Sequence, residues 1–218
     1  MDEELRRQIQ DELIGRYDTE VQLRFLSTYE TELEDFLREM ALAFCKWREL
    51  DQFITKDRYT MIVTAYAYGS LQHHLLSMKL FIGGYFVPSG NAERYVLECI
   101  ATAILAASDP ELRIKILEGR YTSTNSVRHL LKKADHLKLD REAIERIRTG
   151  VKHYDQQSHP SLLALGSTSV TLDSRQLILG VHFDEGKRKA YDFEVASRIG
   201  IATMLLSGLV AIQQVYVP

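Results

Sequence analysis

Seven large apolar side chains, Leu26, Tyr29, Leu33, Phe36, Met40, Phe44 and Trp47, recur at steps of three and four residues. A helix turns about 100° per residue, so such a series falls on one stripe that has to be buried against other helices. The stretch from about Thr19 to Leu50 therefore reads as one long helix with a bundle-forming seam, and the same stripe can serve a subunit contact. With only 12 Gly and 4 Pro in 218 residues, long loops and a many-turned β fold are disfavoured. The fold class this predicts is mainly α: a helical bundle, a single domain over residues 1–218, with a small β appendage at about 167–193 ahead of the C-terminal helix.

The other elements follow the same logic. Residues 2–14 read as a short polar helix with Leu5, Ile9 and Leu13 on one stripe. The segment 57–82 is apolar nearly all round, which marks a central helix, and its Ala65, Ala67, Gly69 and Ser70 let a neighbour come close. Within it, His73 and His74 are adjacent and point about 100° apart, so they read as core or boundary histidines rather than a metal pair. The Gly-rich stretch 83–91 reads as a loop, followed by a second central helix from Ala92 to Ser108. Shorter helices follow at 110–118 and 127–137. A change of period then predicts strands at 169–171 and 177–183, with a third at 190–193, before a final helix from about Phe193 to Tyr216.

Composition narrows the setting. Cys45 and Cys99 lie inside apolar helical patterns, which suits free thiols in a reducing cytoplasm. Met1 is followed by Asp2, Glu3 and Glu4 rather than by a basic and then apolar leader. The most apolar run, 199–212, falls short of the roughly 20 residues a membrane span needs, so no membrane association is expected. Net charge is −3 but uneven, with seven Arg and Lys against fourteen Asp and Glu over residues 1–51 and eleven against five over residues 113–153. Either complementarity within the chain or a dimer, or a footprint for RNA, accounts for this asymmetry.

Chemistry concentrates between Leu139 and Ser161. Asp140 is placed to cap a helix on which Ile144, Ile147, Val151 and Tyr154 share one stripe, while Glu142, Arg146, Thr149 and His153 share the opposite side. Arg146 and His153 are seven apart, hence about 10 Å between Cα atoms on one face. Arg148 points away from His153 on a straight helix, so that pair cooperates only through a break at Gly150 or a second subunit. Pro160 holds His159 extended, in position to fold back beside the motif.

An arginine followed after four to six residues by a histidine, near a helix end, resembles the signature of the HEPN superfamily. The resemblance implies a dimeric, metal-independent endoribonuclease, with His153 acting on the ribose 2′-hydroxyl and Arg148 or Arg146 holding the phosphate. It also implies a toxin or phage-defence setting, with RNA as substrate and an antitoxin or other protein as partner. The chain departs from the family in having Thr149 after Arg148 and Ile147 after Arg146, where a polar Asn, Asp or His is common. Arg94 and Glu98 in R-Y-V-L-E after Gly84-Tyr85, and S-H-P-S at 158–161, are similar to patterns in uncharacterised bacterial helical proteins of this type.

On the residues themselves, the catalytic candidates are His153, Arg148 and Arg146, and the substrate-binding candidates are Arg94, Glu98, His159 and Tyr154. The pair Arg94–Glu98 reads either as a structural clamp in an apolar helix or as an arginine reaching a ligand beside His153. No metal-ligand spacing, nucleophile elbow or dinucleotide loop occurs, so no cofactor and no metal are expected. The competing expectation is a non-catalytic helical module that binds a protein or a small ligand through the same face.

Overall fold

Three aspartates mark where helices begin. Asp57 Oδ1 accepts from the amides of Tyr59 (2.7 Å) and Thr60 (2.9 Å), Asp109 from Leu112 (3.0 Å) and Asp140 from Glu142 (2.9 Å). Asp109 and Asp140 each satisfy an amide that an α-helix leaves without a partner in its first turn, and Asp57 fixes the turn that leads into the next helix. The computed structural model describes residues 4, 6, 19–54, 57–158, 169–172, 176–179 and 181–216. Apart from Glu4 and Arg6, the helix expected over 2–14 lies outside the described residues.

The helices are α1 (Thr19–Thr28), α2 (Glu30–Phe53), α3 (Met61–Ile82), α4 (Phe86–Ser108), α5 (Pro110–Leu117), α6 (Ser126–Lys133), α7 (Arg141–Ser158) and α8 (Arg188–Tyr216). Between the last two, β1 (Ser169–Leu172) pairs antiparallel with β2 (Gln176–Leu179), Ser169 opposite Leu179. The chain is thus mainly α. Helices α3 and α4 form the centre, with α2 and α8 packed on one flank and α6 and α7 on α4. Helix α4 is buried along nearly its whole second half, from Val96 to Ala107. That suits an element whose sequence offers almost no polar face there.

Four boundaries differ from the sequence expectation. The first long helix bends at Tyr29, whose φ of −121° and ψ of 29° leave the helical region. Its hydroxyl donates to Asp192 at 2.9 Å and Arg188 sits over its ring, so a tertiary contact with α8 fixes the bend. Helix α4 begins six residues early, at Phe86, absorbing the Gly-rich stretch. Gly84, at φ 79°, makes the turn, and Pro88 falls in the first helical turn, where a missing amide costs nothing. Helix α6 stops at Lys133 rather than continuing to 137, so His136 lies in the turn that follows. Finally, residues 190–193 are helical and α8 starts at Arg188, because Tyr191, Val195, Arg198 and Ala202 all turn inward at helical spacing. His182 and Phe183 lie beyond the end of β2, and Phe183 joins Phe25, Phe81, Phe86 and Tyr191 in an aromatic cluster around Phe25.

By length and composition the stretch Glu185–Tyr216 is able to cross a membrane, which the 14-residue apolar run alone did not suggest. Its inward face is built into the bundle, however, with Ala202, Leu205, Leu209 and Ile212 fully buried. Gly208 brings α8 onto α4: a Cβ there would stand 2.8 Å from Ile100 Cγ1. Gly208→Val is therefore expected to lower the unfolding free energy by about 1–3 kcal/mol, read as a lower urea midpoint at unchanged m-value. A midpoint equal to that of the parent chain contradicts this close packing.

Candidate functional site

Helix α7 lies on α4 through two glycines. A Cβ on Gly150 would come within 3.0 Å of Leu97, and one on Gly90 would collide with the Gln157 amide. Ile144, Ile147 and Tyr154 are buried by this approach, which leaves His153 at the lip of the bundle with its side chain 31% exposed. Its Nε2 lies 2.9 Å from Glu194 Oε1 on α8, and the Gln157 amide nitrogen reaches the same oxygen at 2.9 Å. Gln157 Nε2 and His153 Nε2 are also 3.1 Å apart. A carboxylate only accepts, so the consistent assignment has both nitrogens donating to Glu194, side by side. The neutral imidazole then carries its proton on Nε2 and its lone pair on Nδ1.

Behind Glu194 stands Arg198, fully buried and four residues along α8. Its Nη1 donates to Glu194 Oε2 at 2.6 Å and to the Glu194 carbonyl at 3.0 Å, and its Nη2 donates to Ser89 Oγ at 2.9 Å. The guanidinium also lies 4.6 Å over the Phe81 ring and 3.6 Å from Glu93. Glu93 in turn meets His74 Nδ1 at 2.8 Å, and His74 Nε2 reaches the Arg198 carbonyl at 2.9 Å. A carbonyl can only accept, so His74 Nε2 carries a proton. The short contact to Glu93 needs a second proton, which one of the two partners must hold. Counting that shared proton, the buried His74–Glu93 pair is neutral as a unit, and Arg198 is balanced by Glu194.

The electrostatics of Glu194 follow from this clamp. Burial pushes its carboxyl up, but the hydrogen bond from His153, the charge and hydrogen bond of Arg198, and the Gln157 amide outweigh burial and hold it at about 2. Tyr154 faces the same cluster: burial pushes its hydroxyl well above the ordinary value, opposed by Arg198 and aided by Glu93 and Glu194.

The other expected site residues are dispersed. Arg146, its side chain 66% exposed, pairs with Glu142 at 3.0 Å, and Arg148 pairs with Glu145 at 2.7 Å. Neither pairs with His153. Arg94 bridges α4 and α7, binding Glu98 at 3.1 Å and Asp155 at 2.6 Å, while Ser123 donates to Glu98 at 3.2 Å. That is the geometry of a clamp. Tyr154 is buried under His153, the two rings 5.0 Å apart. His159 lies outside the described residues. Sequence reading overlooked Glu194, Arg198, Glu93 and Gln157. One signal was available: Glu194 and Arg198 are an i, i+4 pair just ahead of the apolar run 199–212.

Among the described residues no group of three His, Cys, Asp or Glu side chains could hold a metal ion. Compared with known proteins, the chain matches no family model, no curated protein and no solved structure.

Two outcomes test the cluster. Because the folded-state value for Glu194 lies below its ordinary 4.5, its contribution is fully present above that pH and is lost as pH falls towards about 2. The size is about 3 kcal/mol, from 1.36 kcal/mol per unit. Urea unfolding as a function of pH should show this loss in the parent chain, and Glu194→Gln should remove that part of it. Arg198→Met leaves Glu194 without its buried cation and should cost about 3–5 kcal/mol, whereas Arg198→Met with Glu194→Gln should cost less than the sum of the two single changes. Additivity in that cycle contradicts the pairing.

Proposed function

We propose that the protein is a HEPN-like, metal-independent endoribonuclease that works as a cytoplasmic homodimer, with His153 as its acid–base group. The observation that supports this most is the half-exposed His153 imidazole tied by Nε2 to a buried, ionised Glu194. A carboxylate in that position fixes ring orientation and tautomer and steadies the imidazolium formed during proton transfer. The lone pair on Nδ1 takes the ribose 2′-hydroxyl proton. The oxygen attacks the adjacent phosphorus, the bond to the 5′-oxygen breaks, and that oxygen takes a proton from water while the imidazolium returns its proton to solvent, giving a 2′,3′-cyclic phosphate and a 5′-hydroxyl end.

The phosphate requires a cation. Arg146 and Arg148 sit on the His153 helix in exposed ion pairs, a kind worth about 0–1 kcal/mol, so a phosphate or a second subunit can displace their carboxylates. The basic stretch 113–153 includes α6 and α7 on the His153 flank, and the acidic α2 packs against α3 and α8 instead. Of the two helices on that flank, α6 carries Arg128, Lys132 and Lys133 with no carboxylate and α7 sets four cations against three carboxylates, so the excess that favours an anionic strand lies mainly on α6.

A second reading is a non-catalytic module that binds RNA, a protein such as an antitoxin, or a small ligand. It is favoured by the pairing of Arg146 and Arg148 on their own helix, away from His153. RNA cleavage in EDTA separates the two. The catalytic reading expects single-stranded RNA to be cut to cyclic-phosphate ends and His153→Ala to lose about 100-fold or more. An inactive parent chain rejects that reading in favour of the second, and activity that depends on added metal rejects the metal-independent mechanism.

A further inference from the structure

Phe193 precedes Glu194 on α8, and its side chain is 56% exposed. Single exposed aromatics are common and need no function. This one is set apart by its neighbours. Its ring centroid lies 5.3 Å from that of His153, with the planes 69° apart, so the imidazole forms one wall beside an open aromatic face. Helical register holds the ring outward, since Tyr191 and Val195 on either side of it are buried. Lys189, one turn earlier on α8, is exposed, as are Arg146, Arg148 and Lys152 on α7. The nearby carboxylates are already engaged: Glu194 with His153 and Arg198, Asp155 with Arg94, and Asp192 with Tyr29 and Arg188.

An exposed ring with Lys189 one turn away on its own helix and further exposed cations on α7, Arg146 and Arg148 there in surface ion pairs, suits an unpaired base whose phosphates run past the ring. We infer that Phe193 is a stacking platform for one unpaired nucleobase of a single-stranded RNA, placing the sugar of that or the adjoining nucleotide at His153. The choice of RNA as ligand rests on the function proposed above; the position of the base rests on the Phe193–His153 geometry. A duplex has no free base to offer, so the platform selects single strands.

The test is binding of a fluorescein-labelled, 2′-O-methylated single strand of about 12 nucleotides, which cannot be cleaved, at low salt in EDTA. Phe193→Ala should raise Kd about tenfold with thermal stability unchanged, because the ring is exposed. Phe193→Trp should retain affinity, and its indole fluorescence should be quenched on binding. The same sequence as a blunt duplex should bind more weakly than the single strand. Equal affinity of Phe193→Ala and the parent chain overturns the inference. So does conversion of a dimer to a monomer by Phe193→Ala, which assigns the ring to a subunit contact. Binding without cleavage of unmodified RNA rejects only the catalytic reading and leaves the platform in place. Absence of any RNA binding by the parent chain rejects both.

Discussion

A guanidinium with no exposed surface sits where three helices of this bundle meet, and the arrangement around it depends on keeping that charge satisfied. Taking an arginine out of water carries a penalty of several kcal/mol, recovered only with close partners and few unused donors. Arg198 has such partners: Glu194 beside it on α8, Ser89 and Glu93 on α4, and the face of Phe81 on α3. Removing Glu194 leaves the guanidinium without its counter-charge in the core. The cluster therefore ties α3, α4 and α8 together at one buried point.

The same requirement reaches the surface. Glu194 spends one oxygen on Arg198 and offers the other to His153 and Gln157. Gln157 reaches it because Gly90 leaves room for the amide against α4. A buried cation thus holds a carboxylate, the carboxylate holds an imidazole, and the imidazole lies at the water's edge next to an open aromatic ring. Inward, the chain continues through Glu93 to His74, a histidine with both ring nitrogens bonded, as its place in an apolar helix predicts.

Much of the architecture was legible in the sequence because it rests on periodicity. The apolar seam of α2, the all-apolar α3 and α4, and the Asp140 start of α7 each follow from spacing and capping chemistry within one segment. The bend at Tyr29 and the helical character of 190–193 did not, since both are set by partners more than a hundred residues away or by inward turns visible only in three dimensions. At the site, His153 stood out as a histidine on a polar helix face, yet its true partner is 41 residues distant on another helix. The arginines close to it in sequence bind their own helix instead. Local spacing singled out His153 but not its hydrogen-bonding partner, because the Glu194 carboxylate comes from α8 and no pattern within α7 points to it.

The ring nitrogens of His153 give the most direct measure of whether this charge chain exists. Long-range nitrogen–proton correlation spectra, recorded in alkaline buffer where imidazoles are neutral, report which nitrogen carries the proton. The account predicts that His153 is almost wholly in the Nε2–H form with a slowly exchanging proton, and that Glu194→Gln or Arg198→Met lets the two tautomers mix. A parent spectrum in which His153 shows the Nδ1–H form, or the averaged pattern of a free imidazole, contradicts it.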